Sequence, residues 1–236
     1  MKKIFFAISI LLLLPFVQGC RVACKEGHGP VHARQHDVSG FTGIRLNIAA
    51  EAVVTPGNSF RVQVEAEDNL LDEITTEVHG RVLRIGSRKC LKSNIKIRIL
   101  VTLPELNELE INGTGDIVLP DTFQVDKIAL EINGSGNING RLIAAKIQST
   151  IHGSGDIRLS GSANEHDIRI MGSGDVFAAD LPCNASEIKV NGSGDVYVYA
   201  INELDAHING TGNVHYKGKP SVSVKINGTG KVVDEN

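Results

Sequence analysis

This chain has no tryptophan, and aromatic residues fill only 4% of its 236 positions. A conventional globular core takes much of its bulk from such rings. The core here must instead be assembled from Ile, Val and Leu, which suit β-strands. Charge of one sign is lacking too: 24 basic residues face 27 acidic ones, a formal net charge of −3. A nucleic-acid binder would show a basic patch or stripe, so no nucleic-acid partner is expected. Beyond residue 17 no apolar run approaches the roughly 20 residues that span a bilayer.

The front of the chain carries an export pattern. Met1-Lys2-Lys3 is a short basic start, and Ile4 to Val17 is apolar apart from Ser9 and Pro15. This reads as a secretory signal. The stretch ends in Val17-Gln18-Gly19-Cys20, which resembles the bacterial lipobox. The resemblance implies cleavage after residue 19 and a diacylglycerol on the Cys20 thiol, which would anchor the protein to a membrane. Gln18 departs from the usual pattern. The alternative is an ordinary signal peptide followed by a chance cysteine.

Three cysteines remain, Cys24, Cys90 and Cys183. Outside the cytoplasm a disulfide is permitted, and each possible pairing leaves one thiol over. Cys24–Cys90 is favoured, since both precede the repeats described next. Residues 20–39 are polar and hold Cys24, His28, His32 and His36, four apart like metal ligands on a helix. Gly27-His28-Gly29-Pro30 opposes a helix, so a flexible tether with solvated histidines is expected, and no metal.

Internal repetition dominates the rest. Gly113-Thr114-Gly115-Asp116-Ile117 recurs as Gly134-Ser135-Gly136-Asn137-Ile138 and then as Gly153-Ser154-Gly155-Asp156-Ile157. The remaining copies begin at Gly172, Gly192, Gly210 and Gly228, with successive spacings of 18 to 21 residues. A period of this size marks a solenoid unit. Two residues before each corner stand Ile111, Ile132, Ile151, Ile170, Val190, Ile208 and Ile226, and mostly polar residues precede each of them. This alternation predicts a strand with one buried face. Ile117 through Val232 form a second apolar column after the corners. Each unit is therefore expected as strand, glycine corner, strand and variable loop, with stacking to bury the inner face. At about 4.8 Å per rung the seven units would extend roughly 30 Å. Asn-Gly is a strong turn dipeptide, and Asn112, Asn133, Asn191, Asn209 and Asn227 could hydrogen-bond up the stack. The rival architecture is an antiparallel β-meander, with each Asn-Gly-Ser-Gly a hairpin turn.

Residues 40–104 lack the corner but alternate, as in Arg61–Glu65 and Asn94–Ile99. His79-Gly80 marks a hairpin, and Asn69 to Thr75 could form one helical turn capped by Asn69. This part is expected to cap residues 105–236 or to add irregular rungs.

Phe41-x-x-Ile44, Glu65–Leu71 and Val101–Leu106 running into Ile111-Asn112-Gly113 resemble the head GIN domain of auto-transporter adhesins, proteins common in Bacteroidetes envelopes. The resemblance spans Phe41 to Val233. It implies an all-β, right-handed parallel β-helix in a periplasmic or surface-exposed outer-membrane lipoprotein. It brings no catalytic residues with it.

Three chemical readings compete. The column Asp116, Asn137, Asp156, Asp175, Asp195, Asn213, Lys231 is similar to calcium-binding nonapeptide repeats. One carboxylate per rung is thin for an ion that takes six to eight oxygens, so turn capping by solvated side chains is preferred. Repulsion between neighbours there is about 0.9 kcal/mol in water before screening. A polysaccharide lyase or hydrolase would need clustered carboxylates or basic groups in one groove, and none is evident. The third reading is a binding surface. The outward position two residues past the column carries Val118, Asn139, Arg158, Phe177, Tyr197, His215 and Val233. Arg158, Phe177, Tyr197 and His215, with Tyr199 nearby, would form a stripe contacting a glycan, a protein or a second copy of the chain. The expectation is a non-catalytic adhesin or scaffold with no cofactor, held to the membrane through Cys20. A carbohydrate-active β-helix enzyme is the alternative.

Overall fold

The computed structural model describes residues 23–236; the expected signal segment and Cys20 lie outside them. The first strands are short: β1 (Lys25–Glu26), β2 (Val31–His36), β3 (Gly43–Leu46), β4 (Glu51–Pro56) and β5 (Arg61–Glu67). A single helical turn, α1 (Asp68–Leu71), precedes β6 (Ile74–His79), β7 (Val82–Ser87), β8 (Leu91–Lys92) and β9 (Arg98–Leu103). Then β10 (Glu108–Gly113) leads into the long strands β11 (Asp116–Gly134), β12 (Asn137–Gly153), β13 (Ile157–Gly172), β14 (Val176–Gly192) and β15 (Val196–Gly210). β16 (Val214–Lys217), β17 (Ser221–Gly228) and β18 (Val232–Asp234) finish the chain.

From β10 onward every pairing is parallel and in register, corner on corner: Gly113 on Gly134, Gly153 on Gly172, Gly192 on Gly210 and Gly210 on Gly228. This is a stacked β-solenoid, and the meander is ruled out. The segments expected as variable loops are instead strand; β11 to β15 run 15 to 19 residues each from corner to corner. The differences in rung length are absorbed at bulges, such as the one between Ala178 and Pro182 opposite Val198–Tyr199.

The glycine corner has a steric cause. At Gly192 φ is +153°, and a Cβ there would lie 2.0 Å from the Gly172 carbonyl oxygen one rung below. Gly194 lacks the unusual φ but would clash equally, 2.0 Å from the Gly174 oxygen. That carbonyl is in use: Gly172 O accepts the Ser193 amide at 2.9 Å. From Gly134 onward the corner is thus a place where backbones approach too closely for any side chain.

Inside, the apolar columns stack. Ile111, Ile132, Ile151, Ile170, Val190 and Ile208 are all fully buried, each contributing about 1.5–3 kcal/mol by leaving water. One polar pair interrupts them: His166 Nε2 and Ser149 Oγ meet at 2.9 Å, both buried.

The front part belongs to the same sheet, apart from β1 and β8, which pair with each other as a separate two-stranded sheet. β3 continues the columns below β10, with Ile44 under Leu109 and Leu46 under Ile111, and β7 lies below β3. β4 likewise lies under β11. Antiparallel pairs then close this end: β6 on β7, through a Gly80-Arg81 turn with both φ positive, and β2–β5–β9. The front is both irregular rungs and cap. The helical turn starts at Asp68, one residue ahead of its expected cap. Asn69 instead sits inside it, accepting the His28 amide and donating to the Glu26 carbonyl, each at 2.8 Å.

The tether expectation fails in its described part. β2 pairs along its length with β5, and Cys24 is disulfide-bonded to Cys90, leaving Cys183 free and buried. Alternation in Val31–His36 was available as a strand signal, but the neighbouring Gly-Pro obscured it. His32 Nδ1 faces Asp68 at 3.1 Å and His36 Nδ1 meets Thr76 Oγ1 at 2.6 Å.

Candidate functional site

The outward position past each corner forms one straight column, because the rungs beneath it are in register. Val118, Asn139, Arg158, Phe177, Tyr197, His215 and Val233 lie successively opposite one another. The spacing of rungs is close to ring-stacking distance, so adjacent rings meet face to face. Phe177 and Tyr197 stack at 5.2 Å between centroids and 7°, and Tyr197 and His215 at 4.7 Å and 13°. The Arg158 guanidinium caps the other Phe177 face at 4.4 Å. Carboxylates hold both ends: Asp156 accepts from Arg158 Nη2 at 2.9 Å, and Glu235 meets His215 Nδ1 at 2.7 Å. Burial, and then the charges of Asp195, Asp175 and Glu235, push the Tyr197 phenol up, keeping it neutral.

Four of the five stripe residues therefore form one ladder. Tyr199 stands apart; it is 37% exposed, opposite Pro182 and Lys217, and its ring lies close over Gly218. The ring faces of Phe177 and Tyr197 are covered by their ladder neighbours. What they offer outward is ring edge and the Tyr197 hydroxyl.

Beside the ladder lies a groove of about 450 Å³, lined by Asn139, Arg141, Arg158, Ser160, Phe177 and Asp180 among others. Its far wall is the next outward column across a bulge, where Arg141 opposes Ser160 and Ser160 opposes Asp180. Arg141 is exposed and makes no ion pair among the described residues. Reading at fixed offsets from the corner could not find Arg141, Ser160 and Asp180 as one column. The register slips between Arg158 and Ser160, so Asp180 stands one residue off the simple count.

The column after the corner has a different job from the expected one. Each side chain accepts the backbone amide of the same position one rung on: Asp156 from Asp175 at 3.1 Å, Asp175 from Asp195 at 2.7 Å, Asp195 from Asn213 at 2.7 Å. These residues cap the next turn and not their own. Burial raises the Asp116 carboxyl, but hydrogen bonds from Asn137 and the Lys96 ammonium outweigh it, and its pKa ends below the ordinary value. The corner Asn column also hydrogen-bonds along the axis, Asn133 to Asn112 at 3.1 Å and Asn227 to Asn209 at 2.9 Å. Among the described residues no three His, Cys, Asp or Glu side chains converge on a common point.

The fold is thus a parallel β-solenoid with a side-chain ladder and a groove beside it on one face. The chain belongs to the family described as putative auto-transporter adhesin, head GIN domain, whose profile matches residues 40–220. A crystal structure of a putative adhesin from Bacteroides fragilis is similar at a TM-score of 0.85 and 26% identity, over 89% of this chain and 99% of that one. A putative adhesin from Parabacteroides distasonis aligns at a TM-score of 0.71 and 26% identity, over 89% and 98%. A second P. distasonis protein, described as a putative lipid binding protein, shares the fold at 0.74 and 24% identity, over 91% and 100%. No protein of curated function matches the chain.

Proposed function

We propose that this protein is a non-catalytic, envelope-tethered lipoprotein of adhesin type that binds an acidic glycan in the groove beside the Arg158–His215 ladder. The observation that carries the reading is Arg141. It is an exposed cation that makes no ion pair among the described residues, in a shallow groove with Asn139, Ser160 and Asp180 as hydrogen-bonding groups. Arginine presents a planar fork suited to carboxylate, and Arg158 is already oriented by Asp156 and Phe177. A sugar carboxylate at the arginines with hydroxyls toward Asp180 suits this lining. The ladder supplies a rigid wall, since stacked rings lose little freedom on binding. The groove lining includes one carboxylate, Asp180, whereas glycoside hydrolysis usually takes two; this favours binding over cleavage. Anchoring through Cys20 follows from the lipobox-like segment, and the Cys24–Cys90 bond suits an oxidising compartment.

A glycan array probed with the mature chain tests the reading. Uronic-acid or sialic-acid glycans should be retained, and Arg141→Ala should weaken retention at least tenfold without altering the melting temperature. Retention of neutral sugars alone, or indifference to Arg141→Ala, would reject it. Shortened glycans in the supernatant would instead reveal the enzyme.

A further inference from the structure

The two ends of the solenoid are unlike. At the front, β2, β5, β6 and α1 close the stack. At the other end β17 pairs only with β15 among the described residues, which leaves its outer edge without a strand partner there. Val222, Val224 and Ile226 are 41%, 46% and 38% exposed, although the residues beneath them, Leu204, Ala206 and Ile208, are at most 1% exposed. The column that accepts amides from the next rung ends here on Lys231, which donates and cannot accept. An eighth parallel rung would find no acceptor in that column.

The open strand is complementary to itself. Gly210 O accepts the Thr229 amide from the rung above, so backbone groups of Gly210 point toward the open end. Its counterpart Gly228 then points outward, and by strand alternation so do the N–H and C=O of Ile226, Val224 and Val222. A two-fold axis at Val224 would set Val224 against Val224 of a second copy, and Val222 against Ile226, all hydrogen-bonding pairs. Their side chains would share one face, joining the two cores. Lys225 would face Ser223, and not another lysine. The register shifted to centre on Lys225 would oppose like charges, which disfavours it.

We propose that β17 pairs antiparallel with β17 of a second copy, tail to tail. The opposite end of the molecule is the one fastened near Cys24, whose disulfide partner Cys90 follows β7, two strands beyond β10. Cys20 stands four residues before Cys24, a reach of about 14 Å. If Cys20 carries the anchor, as the proposed function has it, the self-pairing end is the tip farthest from the membrane, and the pair bridges two surfaces.

The test begins with the full chain carrying Cys20→Ser, released unlipidated and followed by sedimentation velocity over increasing concentration. A reversible dimer is expected, with Val224→Asp raising its Kd at least tenfold while the melting temperature stays within a few degrees. Val224→Cys should crosslink to itself under mild oxidation, and Lys225→Cys should not. A chain that stays monomeric to millimolar concentration overturns the pairing. So does a dimer indifferent to Val224→Asp, or one without the Val224→Cys crosslink. Lipidated chain on vesicles of neutral phosphatidylcholine should cluster them, and Val224→Asp should abolish clustering. A soluble dimer without clustering overturns the bridging arrangement. An N-terminal mass spectrum of the same sample then shows whether the missing element is the anchor at Cys20.

Discussion

The glycines at a corner can be separated by what each avoids. At Gly113 φ is +121° and a Cβ would meet nothing within 4 Å, so Gly113→Ala suffers only the backbone strain, about 1–3 kcal/mol. At Gly174 φ is unexceptional, but a Cβ would lie 2.0 Å from the Gly155 oxygen. Gly174→Ala must push two rungs apart, and its urea midpoint should fall well below that of Gly113→Ala. Buried His166 makes a second prediction. Burial holds its pKa down at about 4, against an ordinary 6.5, with Asp167 opposing only in part. The unfolded chain therefore binds a proton there that the folded one does not. Stability should fall as pH drops from 6.5 toward 4, by at most about 1.4 kcal/mol per pH unit from this residue. His166→Leu should flatten that part of the stability–pH curve in chemical denaturation.

The element of interest is the ladder from Arg158 to His215. Each ring pair adds about 0.5–1.5 kcal/mol beyond burial. A double-mutant cycle on Phe177→Ala and Tyr197→Ala should show coupling of about that size in folding stability, because the rings touch at 5.2 Å. Coupling near zero would mean the ladder does not brace the rungs. The alternation and the corner were legible in single residues such as Ile132, Asn133 and Gly134. The ladder was legible as a column but not as a stack; that its faces are mutually covered depends on rung spacing and ring tilt. The wall across the groove was not legible at all, because Asp180 reaches it through a bulge whose position no local pattern marks.

For the whole molecule, the Cys24–Cys90 bond closes a loop with a sequence separation of 66. On the loop-entropy estimate such a bond is worth about 4 kcal/mol. Cys90→Ser should lower the denaturation midpoint accordingly, and limited proteolysis should then release the strand Val31–His36 first. Cleavage inside the repeats before that strand would show that the cap does not depend on the bond.

Repetition by itself determined that this chain stacks. A glycine pair every 18 to 21 residues with β-branched neighbours permits in-register rungs, and each rung repeats the physical problem of the last. Only the tertiary structure decided what breaks that repetition. Which residues cross the bulges, how the front strands turn antiparallel, where Cys24 finds Cys90 and why Val224 lies bare at the far end all depend on contacts between residues that no period relates. The corners are local and recur; the groove and the two ends are single events, fixed by packing across the whole stack.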